Sequence, residues 1–215
     1  MSPRCFITFE GIDGSGKTTQ VELLKQKLSH SQIEHLAVRE PGATAIGEKI
    51  RQILLSPESR EMTLTAELML YAAARAQLVS QVIKPALEVE QLVICDRFVH
   101  STMAYQGYGS GYDLDTIKSI NDEAVANIRP DLTIVLDVEV EEGFNRCRQG
   151  GRGGETGQDR IEQRSLDFYR RVRNGYLTMA REDPRRVVLV SSELGIEEAH
   201  AEIRRIINER TGLGL

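Results

Sequence analysis

At 215 residues the chain is long enough to bury a core of its own, and the usual domain size of about 100–200 residues predicts a single domain. Its formal charge of −5 argues against a general nucleic-acid surface, because such surfaces draw much of their affinity from neutralising phosphates. Three widely separated cysteines form neither a disulfide framework nor a metal-ligand spacing, and there is no signal-peptide pattern or run of about 18 apolar residues, so a cytoplasmic protein without a stable nucleic-acid or membrane partner is expected.

The chain opens with a short apolar strand pattern at 5–9 and continues into a helical pattern near 17–29. Between them Gly11, Ile12, Asp13, Gly14, Ser15, Gly16, Lys17 and Thr18 spell the full Gly-x-x-x-x-Gly-Lys-Thr phosphate loop, followed by Thr19. Glycine at 11, 14 and 16 lets the backbone curl around phosphate oxygens, and the loop amides and helix N-terminus converge on one small, anion-favouring volume. Lys17 suits the β- and γ-phosphates, and the Thr18 hydroxyl suits Mg²⁺. A bound nucleoside triphosphate is the expectation.

A second strand pattern at 36–39 ends in Arg39-Glu40-Pro41-Gly42-Ala43-Thr44, with Thr44 placed to cap a helix near 44–55 and Arg51 two turns inside it. These charges suit phosphate and ribose binding, with ordinary solvent-facing charges as the alternative. In the next helical pattern, near 63–84, Leu64, Leu68, Tyr71, Leu78 and Val82 form an apolar stripe that also contains Arg75. Residues four apart share a helix face, so ring and guanidinium are expected in one pocket, suited to a flat ligand; a core tyrosine beside a snorkelling arginine is the competing reading.

The strand pattern at 92–95 runs into Asp96 and Arg97. Ligands of open parallel sheets bind beyond the carboxyl ends of the strands, which puts this pair beside the phosphate loop. Asp96 suits either magnesium-bound water or the placement of an attacking phosphate, and Arg97 suits an acceptor phosphate held in a fork; a plain salt bridge is the alternative. Ser101, Thr102, Tyr105 and Gln106 follow, a polar and aromatic set ahead of a Gly-rich turn over 106–112 that is expected to close over a nucleoside.

Helical patterns near 113–126 and 139–148 flank a strand at 132–137. The Gly-rich stretch 149–158 cannot form a stable helix and reads as a mobile lid, about 147–160, rather than as an idle surface connection. Helices near 160–182 and 196–210 enclose a last strand at 187–190. Five nearly all-apolar strands alternating with amphipathic helices describe an α/β fold, a parallel sheet covered on both faces in three layers. Cys5 and Cys95 lie in strand patterns and read as buried thiols, while Cys147 stands between two arginines.

Taken together, the phosphate loop from Phe9 to Gln20, Arg39-Glu40-Pro41-Gly42, Tyr71-Ala72-Ala73-Ala74-Arg75, Asp96-Arg97-Phe98, Ala104-Tyr105-Gln106-Gly107, Arg129-Pro130-Asp131-Leu132, Leu136-Asp137 and Asp159-Arg160-Ile161-Glu162 resemble the thymidylate kinases. The resemblance implies a P-loop fold of the nucleoside monophosphate kinase type with a five-stranded parallel sheet, transfer of the γ-phosphoryl of ATP to thymidine monophosphate with Mg²⁺, and a homodimer. It assigns Tyr71 to stacking on thymine, Arg75 to the base edge, Ser101 and Thr102 to the base region, and Tyr105 to the deoxyribose. Arg51 and Arg97 would take the monophosphate, with Arg39 in the acceptor region and Asp13 on the acceptor side or in the metal network. The loop carries no arginine, whereas Arg146, Arg148, Arg152 and Arg160 lie in or beside the lid, so the chain resembles the bacterial lid-arginine group, with Arg152 favoured and Arg148 competing. Phe98, Ala43 and a lengthened lid depart from the family pattern. Two rivals are a kinase for another nucleotide and an ATP-driven switch without an acceptor; Tyr71 with Arg75 and Asp96 with Arg97 favour an acceptor pocket.

Overall fold

The computed structural model describes residues 5–89, 91–149 and 159–215. Within them strands β1 (Cys5–Glu10), β2 (His35–Arg39), β3 (Leu92–Asp96), β4 (Leu132–Asp137) and β5 (Val187–Ser191) form one parallel sheet in the order β2-β3-β1-β4-β5. The central strands are apolar along nearly their whole length because both sheet faces are covered. On one face, Ile7, Phe9, Ile94 and Ile134 pack against Leu24 and Leu28 of α1 (Lys17–His30) and Ile203, Ile206 and Ile207 of α9 (Ile196–Thr211). On the other, Phe6, Val93 and Cys95 meet Leu78, Val79 and Ile83, while Val135 meets Val172 and Tyr176 of α8 (Leu166–Glu182). The expected three-layer α/β architecture is the one observed. Cys5 and Cys95 are buried thiols, and burial pushes Cys5 up to about 12.

The remaining helices are α2 (Ala45–Leu55), α3 (Leu64–Leu78), α4 (Lys84–Glu88), α5 (Val99–Thr102), α6 (Leu114–Val125) and α7 (Val140–Gln149). Thr44 caps α2 as its position predicts, accepting from the Gly47 amide at 2.9 Å. Three expectations are corrected. The helix expected at 63–84 widens over Val79–Ile83 and then continues as α4; Pro85, with no amide to donate, stands at the start of α4, where a missing donor is tolerated. The Gly-rich turn expected from Gln106 onward belongs in part to a widened helical turn, Met103–Gly109. A Cβ on Gly109 would come within 2.7 Å of Phe168 and Val172, so this glycine serves the close approach of α8. The helix expected from residue 160 begins at Leu166, because Ser165 caps it through the Phe168 amide at 3.2 Å and Asp159 holds a preceding turn through the Ile161 and Glu162 amides, both at 2.8 Å.

Because β1 lies between β3 and β4, the chain leaves β1 and β3 side by side at their carboxyl ends. Phe9 is in register with Asp96, and Asp96 with Arg39. Three loops expected to bind ligand therefore leave adjacent strand tips.

Candidate active site

Two cavities meet at those tips. The larger, about 2410 Å³ and open to solvent, is lined by Asp13 to Gln20 of the loop and α1, by Arg39, Asp96 and Arg97, by Arg146 and Cys147 of α7, and by 192–196. The smaller, about 580 Å³ and likewise open to solvent, is lined by Pro41, Leu55, Tyr71, Arg75, Ser101, Thr102, Tyr105, Gln106 and Ile161. Asp13, Glu40, Arg51, Arg97 and Asp159 line both. Among the described residues, the junction therefore brings two arginines together with three carboxylates.

In the phosphate loop, Gly11, Gly14 and Gly16 take φ of 133, 76 and 90°, a region costly for residues with a Cβ. Lys17 folds back over the loop and donates to the carbonyls of Gly11 at 3.0 Å and Ile12 at 2.9 Å. Burial, helped by the charge of Arg97, lowers its pKa to about 8, against the pull of Asp13, Asp96 and Glu10. Ile12, expected among the nucleotide-binding residues, sends its side chain into the core and contributes a carbonyl to Lys17. Gly11 likewise acts through its carbonyl.

Arg97 ends β3 with a left-handed φ of 71°, a strain of about 1–2 kcal/mol that the surrounding bonds hold in place. Its Nη1 donates to the Gly11 carbonyl at 3.1 Å and to Ser101 Oγ at 3.2 Å, its Nη2 to Asp13 Oδ1 at 2.6 Å, and its guanidinium lies 5.1 Å from the centre of the Tyr105 ring. Asp13 also accepts from the hydroxyls of Tyr105 at 3.1 Å and Tyr169 at 3.3 Å. Burial would raise the Asp13 pKa, but the charges of Arg97 and Lys17 and the hydrogen bonds from Tyr105 and Arg97 hold it below the usual carboxylate value. Asp96 accepts from the Thr18 hydroxyl at 3.3 Å through Oδ2, while its buried Oδ1 has no hydrogen-bond partner among the described residues.

Beneath this junction lies Glu10, the last residue of β1, to which the sequence pattern assigns no role. It is fully buried and accepts from the amides of Phe98 at 2.8 Å and Ser101 at 3.2 Å and from the hydroxyls of Ser101 at 2.6 Å and Tyr176 at 2.9 Å. One carboxylate thus braces the turn that carries Arg97. Ala43, where the resemblance expects glycine, sits at φ 60°.

Tyr71 and Arg75 both line the smaller cavity, as their spacing predicts. Arg75 does not snorkel to water: it is 1 % exposed, forms a two-pronged pair with Glu40, and also donates to Asn121, the Phe98 carbonyl and Thr102. Arg51 donates to the Pro41 carbonyl at 3.0 Å and faces both cavities.

The other predicted arginines scatter. Arg39 lines only the larger cavity, because Glu48 holds it at 2.8 Å. Arg146 donates to Ser192 and lines the larger cavity, whereas Arg148, two positions further around α7, is exposed and lines neither. Arg160 is buried against Glu67 and the Leu54 carbonyl. Arg152 and the stretch 150–158 lie outside the described residues. Among the described residues no helix is long and apolar enough to cross a membrane.

A family model for thymidylate kinase matches residues 9–203. The chain is 45% identical over 212 residues to a thymidylate kinase of Geotalea uraniireducens, covering 98% of this chain and 99% of that protein. It is 46% identical over 204 residues to one of Pelotomaculum thermopropionicum, covering 95% and 93%. The solved thymidylate kinase of Ehrlichia chaffeensis superposes with a TM-score of 0.74 at 35% identity, covering 95% of this chain and 98% of that one.

Proposed function

The chain belongs to the thymidylate kinase family and phosphorylates thymidine monophosphate to the diphosphate at the expense of ATP; from that premise we propose which of its residues carry the transfer. ATP occupies the larger cavity, with its phosphates on Gly14, Ser15, Gly16, Thr18, Thr19 and Lys17. The monophosphate occupies the smaller one, its base beside Tyr71, Arg75, Thr102 and Gln106 and its sugar beside Tyr105. The observation that carries this assignment is the shared lining: Arg97 and Arg51 belong to both cavities, where an acceptor phosphate and the γ-phosphoryl have to meet.

Phosphoryl transfer asks mainly for positioning and neutralised charge. Arg97 and Arg51 draw the acceptor phosphate into line; Asp13 and the Gly11 carbonyl aim the Arg97 guanidinium, while Glu10 braces the turn that carries it through Phe98 and Ser101. Lys17 has to swing from the loop carbonyls to the phosphates. The Thr18 hydroxyl and Asp96 Oδ1 are hard oxygen donors that would hold Mg²⁺, which would supply positive charge to neutralise the phosphates. Arg39 remains near the phosphate side of the larger cavity. The whole chain would act as one kinase domain, with about 147–160 as its lid; Arg146 brings positive charge to the larger cavity, Arg152 remains the lid candidate, and Arg148, which lines neither cavity, loses ground to both. The cytoplasm, with its ATP, is the natural location.

The direct test is transfer from ATP to a panel of nucleoside monophosphates. Preferential formation of thymidine diphosphate is expected; ATP binding without transfer to any of them would end the assignment.

The lowered Lys17 pKa adds a pH signature. Below about 8 the amine is charged in the free protein; above it, the neutral form prevails until a triphosphate restores the proton. ATP binding is therefore expected to take up almost no proton near pH 7, to take up more as pH rises through 8, and to weaken over that range. Calorimetry in buffers of different ionisation enthalpy measures this uptake, and it should vanish in Lys17→Met.

A homodimer is supported by the large apolar side chains that α2 and α3 leave exposed, Ile46, Ile53 and Met69. Sedimentation velocity at micromolar concentration should show twice the chain mass, and a monomer there would refute it.

A further inference from the structure

Glu67 stands in the first turn of α3, where an acidic residue is ordinarily a solvent-exposed complement to the helix dipole. Here it is 2 % exposed. Its Oε1 accepts from Gln106 Nε2 at 2.7 Å, and its Oε2 lies 2.5 Å from Arg160 Nη2 and 3.5 Å from Arg164 Nη2. Arg160 is fixed in turn, its Nε donating to the Leu54 carbonyl at 2.9 Å and its amide to the Leu55 carbonyl at 3.1 Å. The carboxylate is thus held from one side by cations and presents only acceptors to the other.

A glutamine side chain has one donor prong and one acceptor prong, and a carboxylate can pair only with the donor. Gln106 lines the smaller cavity while its NH₂ is committed to Glu67. We infer that Glu67 is a positioning residue for base selectivity: it fixes the Gln106 amide with its carbonyl oxygen toward the base, so that the pocket presents an acceptor there. Thymine has a donor at N3, whereas cytosine has an acceptor at the same place. The locked amide welcomes the first and repels the second. The inference rests on the proposed placement of the base beside Gln106.

Glu67→Gln removes the lock, because an amide in place of the carboxylate can either accept from the Gln106 side chain or donate to it. The single substitution also leaves the Arg160 charge buried without its partner, so the informative protein is Glu67→Gln/Arg160→Met, compared with Arg160→Met alone and with Gln106→Leu. The readout is the ratio of kcat/KM for thymidine monophosphate to that for deoxycytidine monophosphate. It is expected to narrow by about tenfold in the double variant, the worth of one buried hydrogen bond, and to stay at the wild-type ratio in Arg160→Met. A purely structural role would lower both rates in proportion, and an unchanged ratio in the double variant overturns the inference. Gln106→Leu separates the two layers. If it leaves the ratio unchanged, the placement of the base fails; if it narrows the ratio while the double variant does not, the pocket stands and the role of Glu67 falls.

Discussion

Arg97→Ala is expected to lower kcat/KM for transfer to thymidine monophosphate by about 10³-fold, corresponding to roughly 4 kcal/mol of transition-state stabilisation. The size follows from position. Arg97 is a half-buried cation at the junction of the two cavities, already aimed by Gly11, Ser101 and Asp13 before substrate arrives, so little reorganisation is spent when charge develops. Its loss also strips Asp13 of its closest counter-charge and leaves negative charge where the acceptor phosphate must sit. Arg97→Lys should recover only a small part, since an ammonium restores charge without the planar fork. Slow ATP hydrolysis by Arg97→Ala should persist, because Lys17 and the loop amides that would hold the triphosphate remain, although Gly11 and Asp13 each lose a hydrogen bond. Transfer at the wild-type rate with the nucleotide bound would remove Arg97 from the acceptor-phosphate site.

The second large effect is on stability. Glu40→Ala is expected to cost about 3–5 kcal/mol, measured as a shift of the denaturant midpoint at constant slope. Arg75 would remain 1 % exposed with its charge uncompensated; Asn121, Thr102 and the Phe98 carbonyl are neutral and cannot replace a carboxylate. Replacing both partners, Glu40→Leu with Arg75→Met, removes the stranded charge and should recover much of the stability while abolishing selective use of thymidine monophosphate. That contrast distinguishes a group retained for recognition from one retained for folding. A loss below about 1 kcal/mol in Glu40→Ala would mean that the Arg75 charge escapes to water.

The elements most legible from the chain alone were those whose signal is local. The phosphate loop is eight consecutive residues with an apolar strand before it and a helix after it, and Asp96 and Arg97 announce themselves as charges at the tip of an apolar run. Tyr71 and Arg75 share a face by simple period, and the same period reaches back to Glu67, four residues before Tyr71. That signal was present, but an acid in a helix's first turn has an ordinary explanation. Glu10, Tyr169, Tyr176 and Asn121 offered no comparable sign, because each is a single polar residue whose partner lies far along the chain: Glu10 meets Tyr176, and Asn121 meets Arg75. Arg146 and Arg148 differ by two positions, yet helix phase turns one toward the cavity and the other to solvent.

From the sequence alone, then, come the α/β class, the succession of strands along the chain, the glycine-rich loop after the first strand and most residues that line the smaller cavity, since hydrogen bonding and side-chain period within a strand or helix depend on near neighbours. Tertiary structure alone decided which charges are paired and which point into a cavity. Arg39 is taken by Glu48, Arg160 by Glu67 and Arg75 by Glu40, and among the described arginines Arg51 and Arg97 are the two that stand where both cavities open. The physical reason is that a guanidinium's role depends on the carboxylate it meets after folding, and long-range pairing of that kind leaves no periodic trace in the order of residues.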